Sequence, residues 1–310
     1  MKKILLTIIS TAVSFVPVAG WACACGCGVF DVGTSAMFPE GGGGTVYFEY
    51  DYQDQNRNEH GSSRAPAENN DDKEIRSHFY TAGIQYMFNR DWGVQADVPY
   101  VARTFKVAGE SDGELATTDW NQIGDIRLRG IYTGFSPDLS SGVNFGFKLP
   151  AGSFRHDGDP VDIDRDTQIG TGSTDLLLGG FHRDNLTSDG AWSWFAQAQL
   201  DLPVLAQDDY RPGVELDAAV GSYYSGFRSG GVKIRPVAQL VGSERTRDTG
   251  ANSADPVASG YQRLLVAPGL ELDAHPVRIY ADVGLPVYEH VTGDQLVAPA
   301  TVKVIVSYMF

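Results

Sequence analysis

The sequence predicts an all-β protein, a transmembrane antiparallel up-and-down β-barrel of about 12 strands. Three observations predict it. Apolar and polar residues alternate with period two in segment after segment of about nine residues, the length at which a tilted strand crosses a bilayer. The connections between segments alternate between short and long, the pattern of barrels with tight turns on one side and loops on the other. Beyond the opening residues nothing approaches the ~18 consecutive apolar residues of a helical span.

The chain opens "MKKILLTIISTAVSFVPVAGWA", with Lys2 and Lys3 as a basic n-region and an apolar run from Ile4 to Ala19. Gly20 with Ala22, or Ala22 with Ala24, suits signal peptidase, so residues 1–22 read as a cleaved secretory signal, cut after 22 or 24. The run is short for an anchor and is broken by Ser10, Thr11, Ser14 and Pro17. Residues 23–43 follow as a short Cys/Gly-rich periplasmic segment, and 44–310 form the barrel.

The first strand lies in "GTVYFEYDYQDQ", where Val46, Phe48, Tyr50 and Tyr52 share one face and Tyr47, Glu49, Asp51 and Gln53 the other. Tyr80 to Phe88, Val94 to Tyr100, Ile126 to Tyr132 and Val143 to Leu149 repeat the pattern. Then come "STDLLLGGF", the least clearly alternating, "AWSWFAQAQLDL", "VELDAAVGSYY", "VKIRPVAQLV", "YQRLLVAPGLEL", "VRIYADVGLPV" and "TVKVIVSYMF". Connections after even-numbered strands are short, such as "NRDWG" and "DAHP". Those after odd-numbered strands are longer on average, such as "AGSFRHDGDPVDIDRDTQIG" and "YEHVTGDQLVAP". Short turns on the periplasmic side and an even strand number put both termini in the periplasm of a Gram-negative bacterium, with the barrel in its outer membrane. In the last segment Val302, Val304, Val306, Tyr308 and Phe310 form one apolar stripe. Tyr308 and Phe310 look like the C-terminal signal that such barrels present to the barrel-assembly machinery. Aromatics on the lipid-facing parity suit interfacial girdles: Phe88, Trp92, Trp192, Trp194, Tyr308 and Phe310 at the periplasmic rim, Tyr52, Tyr80 and Tyr100 nearer the outer one.

The opposite parity is charged and lines the lumen. Lys233, Arg235, Arg263, Arg278 and Lys303 come from the last four strands, and Arg127, Arg129 and Lys148 form a second basic group. Asp175, Asp201, Glu215 and Asp217 lie on strands six to eight, with Glu49, Asp51 and Asp97 on early strands. A basic wall facing acidic ones places a transverse field across the bore and helps a polar solute shed water. Closed, mutually paired charges that conduct nothing are the alternative. Twelve strands about 4.8 Å apart and tilted about 40° give a backbone diameter of roughly 24 Å, too narrow for a wide general porin.

The formal charge is −15, which excludes a nucleic-acid binder with a basic face. An enzyme is not expected. The histidines His60, His78, His156, His182, His275 and His290 are scattered among loops and strand ends, with no G-x-S-x-G element. The acidic segments "ENNDDKE" and "FRHDGDPVDIDRD" offer oxygen ligands but lack the spacing of a calcium loop, and read as solvated surface loops.

All three cysteines, Cys23, Cys25 and Cys27, stand in "WACACGCGVF". Thiolates suit copper or zinc, and the glycines would let the chain bend them onto one ion. The spacing is neither C-x-x-C nor a haem motif. One disulfide with one thiol left over is the structural alternative, and cleavage after Ala24 would remove Cys23.

Several stretches resemble a known group: "GDIRLRGIY" (124–132), "FKLPAG" (147–152), "GTGSTDLLLG" (170–179), "RPGVELDAAVG" (211–221), "VAPGLEL" (266–272) and "GLPVYEHVTGDQLVAPATVKVIVSYMF" (284–310). They resemble the outer-membrane transporter family associated with the meta pathway of phenol degradation, over residues 120–310. The resemblance implies an outer-membrane barrel that admits small, often aromatic, compounds, and it assigns no substrate residues. The expected function is a channel or transporter for passive uptake of a small solute. A metal-binding outer-membrane protein using the cysteine segment is the alternative. A third is a structural anchor that positions a periplasmic partner through residues 23–43, a segment also able to plug the lumen.

Overall fold

The structure, a computed structural model, describes residues 38–39, 42–109, 114–158, 163–251 and 258–310. Alternation in sequence becomes a two-sided wall. In β1 (Gly43–Gln55) Val46 and Phe48 face out, 40% and 49% exposed, while Tyr47, Glu49, Asp51 and Gln53 face in and are buried. The same logic carries β2 (Asp72–Met87), β3 (Trp92–Ala108), β4 (Ile126–Tyr132), β5 (Ser141–Leu149) and β6 (Ser173–Asn185). It continues through β7 (Trp192–Ala206), β8 (Glu215–Tyr224), β9 (Val232–Arg245), β10 (Tyr261–Ala274), β11 (Val277–Val297) and β12 (Thr301–Met309).

Each strand pairs antiparallel with the next, and β12 returns to β1 from Thr45↔Met309 to Gln53↔Thr301. The 12 strands therefore close into a barrel, as the sequence predicts. Closure leaves no edge of unpaired N–H and C=O groups, which lipid could not satisfy. Phe145 and Phe147 on β5, Leu216 and Val220 on β8, and Ile279 and Val283 on β11 continue the exposed apolar belt. In water each such side chain would forgo about 1.5–3 kcal/mol of burial, so a continuous belt of them is a surface of the kind barrels turn to lipid. Aromatic pairs brace the end with short connections: Trp92 with Tyr132 at 4.7 Å, Trp192 with Tyr224 at 5.1 Å, and Tyr86 with Phe310 at 6.5 Å between ring centroids.

The long-connection end departs from expectation. β11 runs on to Val297, bending at Gly293 where φ is +73°, and only residues 298–300 join it to β12. The expected long loop there is instead strand, and it pairs with Arg57–Gly61, itself hairpinned to Ser63–Arg64. Leu115–Ile123 extends the wall beside β3, and Phe227–Ser229 folds back on β9 at the other end. A one-residue irregularity between β10 and β11 leaves Val287 and Tyr288 both exposed, so the inward parity of β11 shifts beyond Pro286.

Candidate functional site

The charged residues assigned to the lumen fall on the inward face. Glu49, Asp51, Asp97, Arg129, Lys148, Asp175, Asp217, Arg263 and Arg278 are buried there. Arg127, Asp201 and Glu215 line an internal cavity, and Arg235, Lys233 and Lys303 pair with inward carboxylates. Of these three cations Lys233 is the most open, its side chain 37% exposed.

Cross-strand register sets the central charges in a row. Asp97 lies opposite Arg127, Arg127 opposite Lys148, and Lys148 opposite Asp175. Further round the wall, Asp201 lies opposite Glu215 and Glu215 opposite Arg245. The Lys148 ammonium pairs with Asp175 and lies 4.0 Å from Asp125, and Arg129 lies 3.7 Å from Asp97. The Tyr47 hydroxyl donates to Asp97 and accepts from Gln95 Nε2 at 2.8 Å.

The basic wall of the last four strands carries its own counter-ions. Arg235 pairs with Glu271 and reaches Asp273 at 3.1 Å. Arg278 lies 3.7 Å from both carboxylates, and Lys233 3.6 Å from Asp273. Lys303 sits 3.4 Å from Glu49 and 3.5 Å from Asp51. Arg263 lies 3.2 Å from Glu289, which also accepts from Arg57 at 2.6 Å. The field expected across the whole bore is thus largely neutralised between neighbouring strands. Among these counter-ions, Glu271, Asp273 and Glu289 are not among the residues the sequence assigns to the lumen. The first two share the parity of Arg263 and were readable from it; Glu289 follows the irregularity that reverses parity.

Two closures interrupt the bore, and both are made by chain outside the wall. At one level Phe38 is buried among inward side chains from around the barrel: Tyr47, Phe195, Val237, Tyr280 and Ile305, with Phe181 against them. Its ring stacks on Phe181 at 5.1 Å and meets Phe195 edge-on at 5.7 Å. Arg183 Nη2 donates to the Pro39 carbonyl at 3.1 Å. This part of the 23–43 segment therefore lies inside the barrel.

The second closure is made by the described residues of the β5–β6 connection, 150–158 and 163–172. Asp125 holds both its ends, accepting from Gly152 N at 3.1 Å, Thr171 N at 3.0 Å and Thr171 Oγ1 at 2.6 Å. Gly152 and Gly170 pass so closely that a Cβ on Gly170 would stand 2.2 Å from the Gly152 carbonyl oxygen. Arg103 on β3 donates to the Thr167 carbonyl at 2.6 Å. Ile163 packs with Ile75, Phe105, Trp120 and Leu296, and Asp166, Thr167 and Gln168 are buried. The described residues of a segment expected to be a solvated loop are folded inward, because its apolar and amide side chains find partners there. Burial, with Asp248 as a second cause, pushes the Asp166 carboxyl up to about 7.

A cavity of about 110 Å³ remains between these levels, walled by Tyr47, Asp97, Arg127, Lys148, Asp201, Glu215 and their neighbours, with Gln168 and Thr171 of the inward loop. The space is enough for a few waters or one small molecule. Two serines hydrogen-bond histidines, Ser141 with His182 at 2.7 Å and Ser62 with His290 at 3.0 Å, but both pairs lie away from this cavity. Cys23, Cys25, Cys27 and the signal segment lie outside the described residues. Among the described residues no group of three or more His, Cys, Asp or Glu could hold a metal ion.

A closed wall with an apolar belt and a charged, plugged interior defines the fold of outer-membrane β-barrels. Solved structures match it on that level. A crystal structure of an outer-membrane channel from Pseudomonas putida F1 superposes with a TM-score of 0.65 at 10% identity, covering 90% of this chain and 100% of that one. The β domain of the Bordetella autotransporter BrkA superposes with a TM-score of 0.54 at 12% identity, covering 87% of this chain and 100% of that one. No family model and no curated protein matches the chain, so the resemblance to the phenol-pathway transporter family rests on the quoted motifs alone.

Proposed function

We propose that the chain is an outer-membrane channel for passive uptake of a small solute in a Gram-negative bacterium, with both termini periplasmic. One observation carries the reading: both closures of the bore, at Phe38 and at residues 150–158 and 163–172, are made by chain outside the 12-strand wall. Either can leave without breaking a β-ladder, so the wall stays intact while the path opens. A barrel meant only to be closed gains nothing from a polar chamber walled off by removable segments. In this reading residues 1–22 are a cleaved signal and 44–310 the barrel. Tyr308 and Phe310, both exposed on the outer face, are the contacts for the assembly machinery.

Conductance of the purified protein in planar bilayers tests the reading. Discrete current steps are expected from the mature chain, with larger or more frequent ones from a Phe38→Ala variant. Silence from both, with a range of ions and small aromatics, would sink it.

A further inference from the structure

Three outer connections meet on one tyrosine. They are the described residues of the β5–β6 connection, the β7–β8 connection (207–214), and the described residues 246–251 and 258–260 between β9 and β10. Tyr210 is buried, and the Arg165 guanidinium lies over its ring at 4.6 Å, with the Phe154 ring 4.0 Å from the same cation. The Tyr210 hydroxyl donates to Asp248 at 2.6 Å. Asp248, also buried, accepts from Gly213 N and Arg245 Nη2, each at 2.7 Å, and its own N–H donates to Ser259 Oγ at 2.9 Å. Residues 207–214 and 246–251 are also joined directly. Arg211 and Thr249 exchange backbone hydrogen bonds at 2.7 and 2.9 Å, and Thr246 N donates to the Val214 carbonyl at 2.9 Å. A Cβ on Gly213 would collide with the Thr246 carbonyl oxygen, so closely do the two chains pass.

We infer that the outer closure is a lid of three connections that opens as one unit, with Tyr210 coupling the inward β5–β6 connection to the other two. This rests on the channel reading and names the regulation of its outer closure. The β7–β8 and β9–β10 connections already form one body through Asp248 and the Arg211–Thr249 exchange. The β5–β6 connection joins that body at three points. Arg155 donates to Asp208 at 2.8 and 2.5 Å, but both side chains are largely exposed, and such a pair contributes little. Asp166 lies within reach of the charges on Asp248 and Arg245. The stack of Arg165 on Tyr210 is the link that reaches a buried group, because the same ring carries the hydroxyl bonded to Asp248. Undocking the β5–β6 connection takes Arg165 off the ring and opens the buried tyrosine to water. The packing that fixes its hydroxyl on Asp248 is then lost as well. Contacts shared in this way through one buried side chain open as a cooperative unit.

Limited trypsin digestion of the purified, folded protein reads the coupling at two bonds, after Arg165 in the β5–β6 connection and after Arg247 between β9 and β10. A chain carrying Asp125→Asn and Arg103→Gln loosens the β5–β6 connection alone, since these side chains hold Gly152, Thr171 and Thr167. Cutting is nevertheless expected to quicken at both bonds by a similar factor. Tyr210→Ala is expected to quicken both roughly tenfold, the worth of about one buried hydrogen bond. With Tyr210→Ala as the background, loosening the β5–β6 connection then quickens cutting after Arg165 only. Tyr210→Phe keeps the ring under Arg165, loses the bond to Asp248, and falls between. Heat-modifiable migration on gels checks that each variant is a folded barrel. Faster cutting after Arg165 with Arg247 cut at the wild-type rate would overturn the coupled lid and leave the channel standing. So would wild-type rates at both bonds in Tyr210→Ala. Coupled cutting in a barrel that stays silent in bilayers, with wild type and with Phe38→Ala alike, would overturn the channel and keep the three connections as a fixed cap.

Discussion

Phe38 stacks on Phe181 with ring centroids 5.1 Å apart, inside the barrel and not on its surface. Phe181 belongs to the wall, whereas Phe38 precedes the first strand. The contact is thus between a fixed surface and a segment that can leave it. Replacing Phe38 by Ala removes the ring but no strand pairing. Loss of a buried Phe costs about 3–5 kcal/mol at its own site, and here that cost falls on seating the segment. The expected result is higher conductance with an unchanged thermal midpoint of the barrel. A lowered midpoint at unchanged conductance would make Phe38 a structural residue.

Asp125 fastens the inward loop at both ends. Asp125→Asn keeps the shape but withdraws the charge that strengthens three accepted hydrogen bonds, a loss of about 1.5–3 kcal/mol. Trypsin is expected to cut faster at Arg155 or Arg165 in the variant, while the strands remain resistant. Equal cutting rates in both proteins would show that the loop is held from elsewhere.

The same loop carries a pH dependence through Asp166, whose carboxyl is raised from an ordinary 3.8 to about 7 by burial and then by Asp248, with Arg245 opposing. A raised value means that docking takes up a proton. The contribution of this group to docking is full below pH 3.8, declines as pH rises, and is lost above about 7. Proteolysis of the loop is therefore expected to be slower in mildly acidic than in mildly alkaline buffer, and Asp166→Asn to remove most of the difference. A difference that survives in Asp166→Asn would place its origin in another group.

Glu271 is 1% exposed and serves Arg235 and Arg278 together. Glu271→Gln leaves two guanidinium groups sharing Asp273 inside the barrel. Breaking a buried pair from one side costs about 3–5 kcal/mol, so the unfolding midpoint should fall well below that of Phe38→Ala. A midpoint equal to wild type would mean that water already satisfies these arginines.

Most of the wall was readable because a bilayer on one side and a charged interior on the other enforce strict alternation. The signal fades where that contrast ends. Arg103 and Arg245 lie on strands that continue beyond the apolar belt, so their inward placement looked like loop. Glu289 follows the point where Val287 and Tyr288 are both exposed, and no count of two carries across an extra residue. Ile163 is one apolar residue among carboxylates, which reads as solvated until Ile75, Phe105 and Trp120 are seen to surround it. Phe38 stands outside any periodic run. Its place depends on a pocket assembled from distant strands, which no local pattern encodes.

The tether on Phe38 has its own arithmetic. Four residues separate it from Gly43, the first residue of β1, so even fully extended it strays less than about 20 Å from that anchor. A stopper on so short a leash returns as a first-order event, at an effective local concentration of order millimolar. A solute seeking the same space must outcompete a partner that never diffuses away. The open lifetime would then be set by the chain's own rebinding, and uptake would remain sparing unless the solute were abundant.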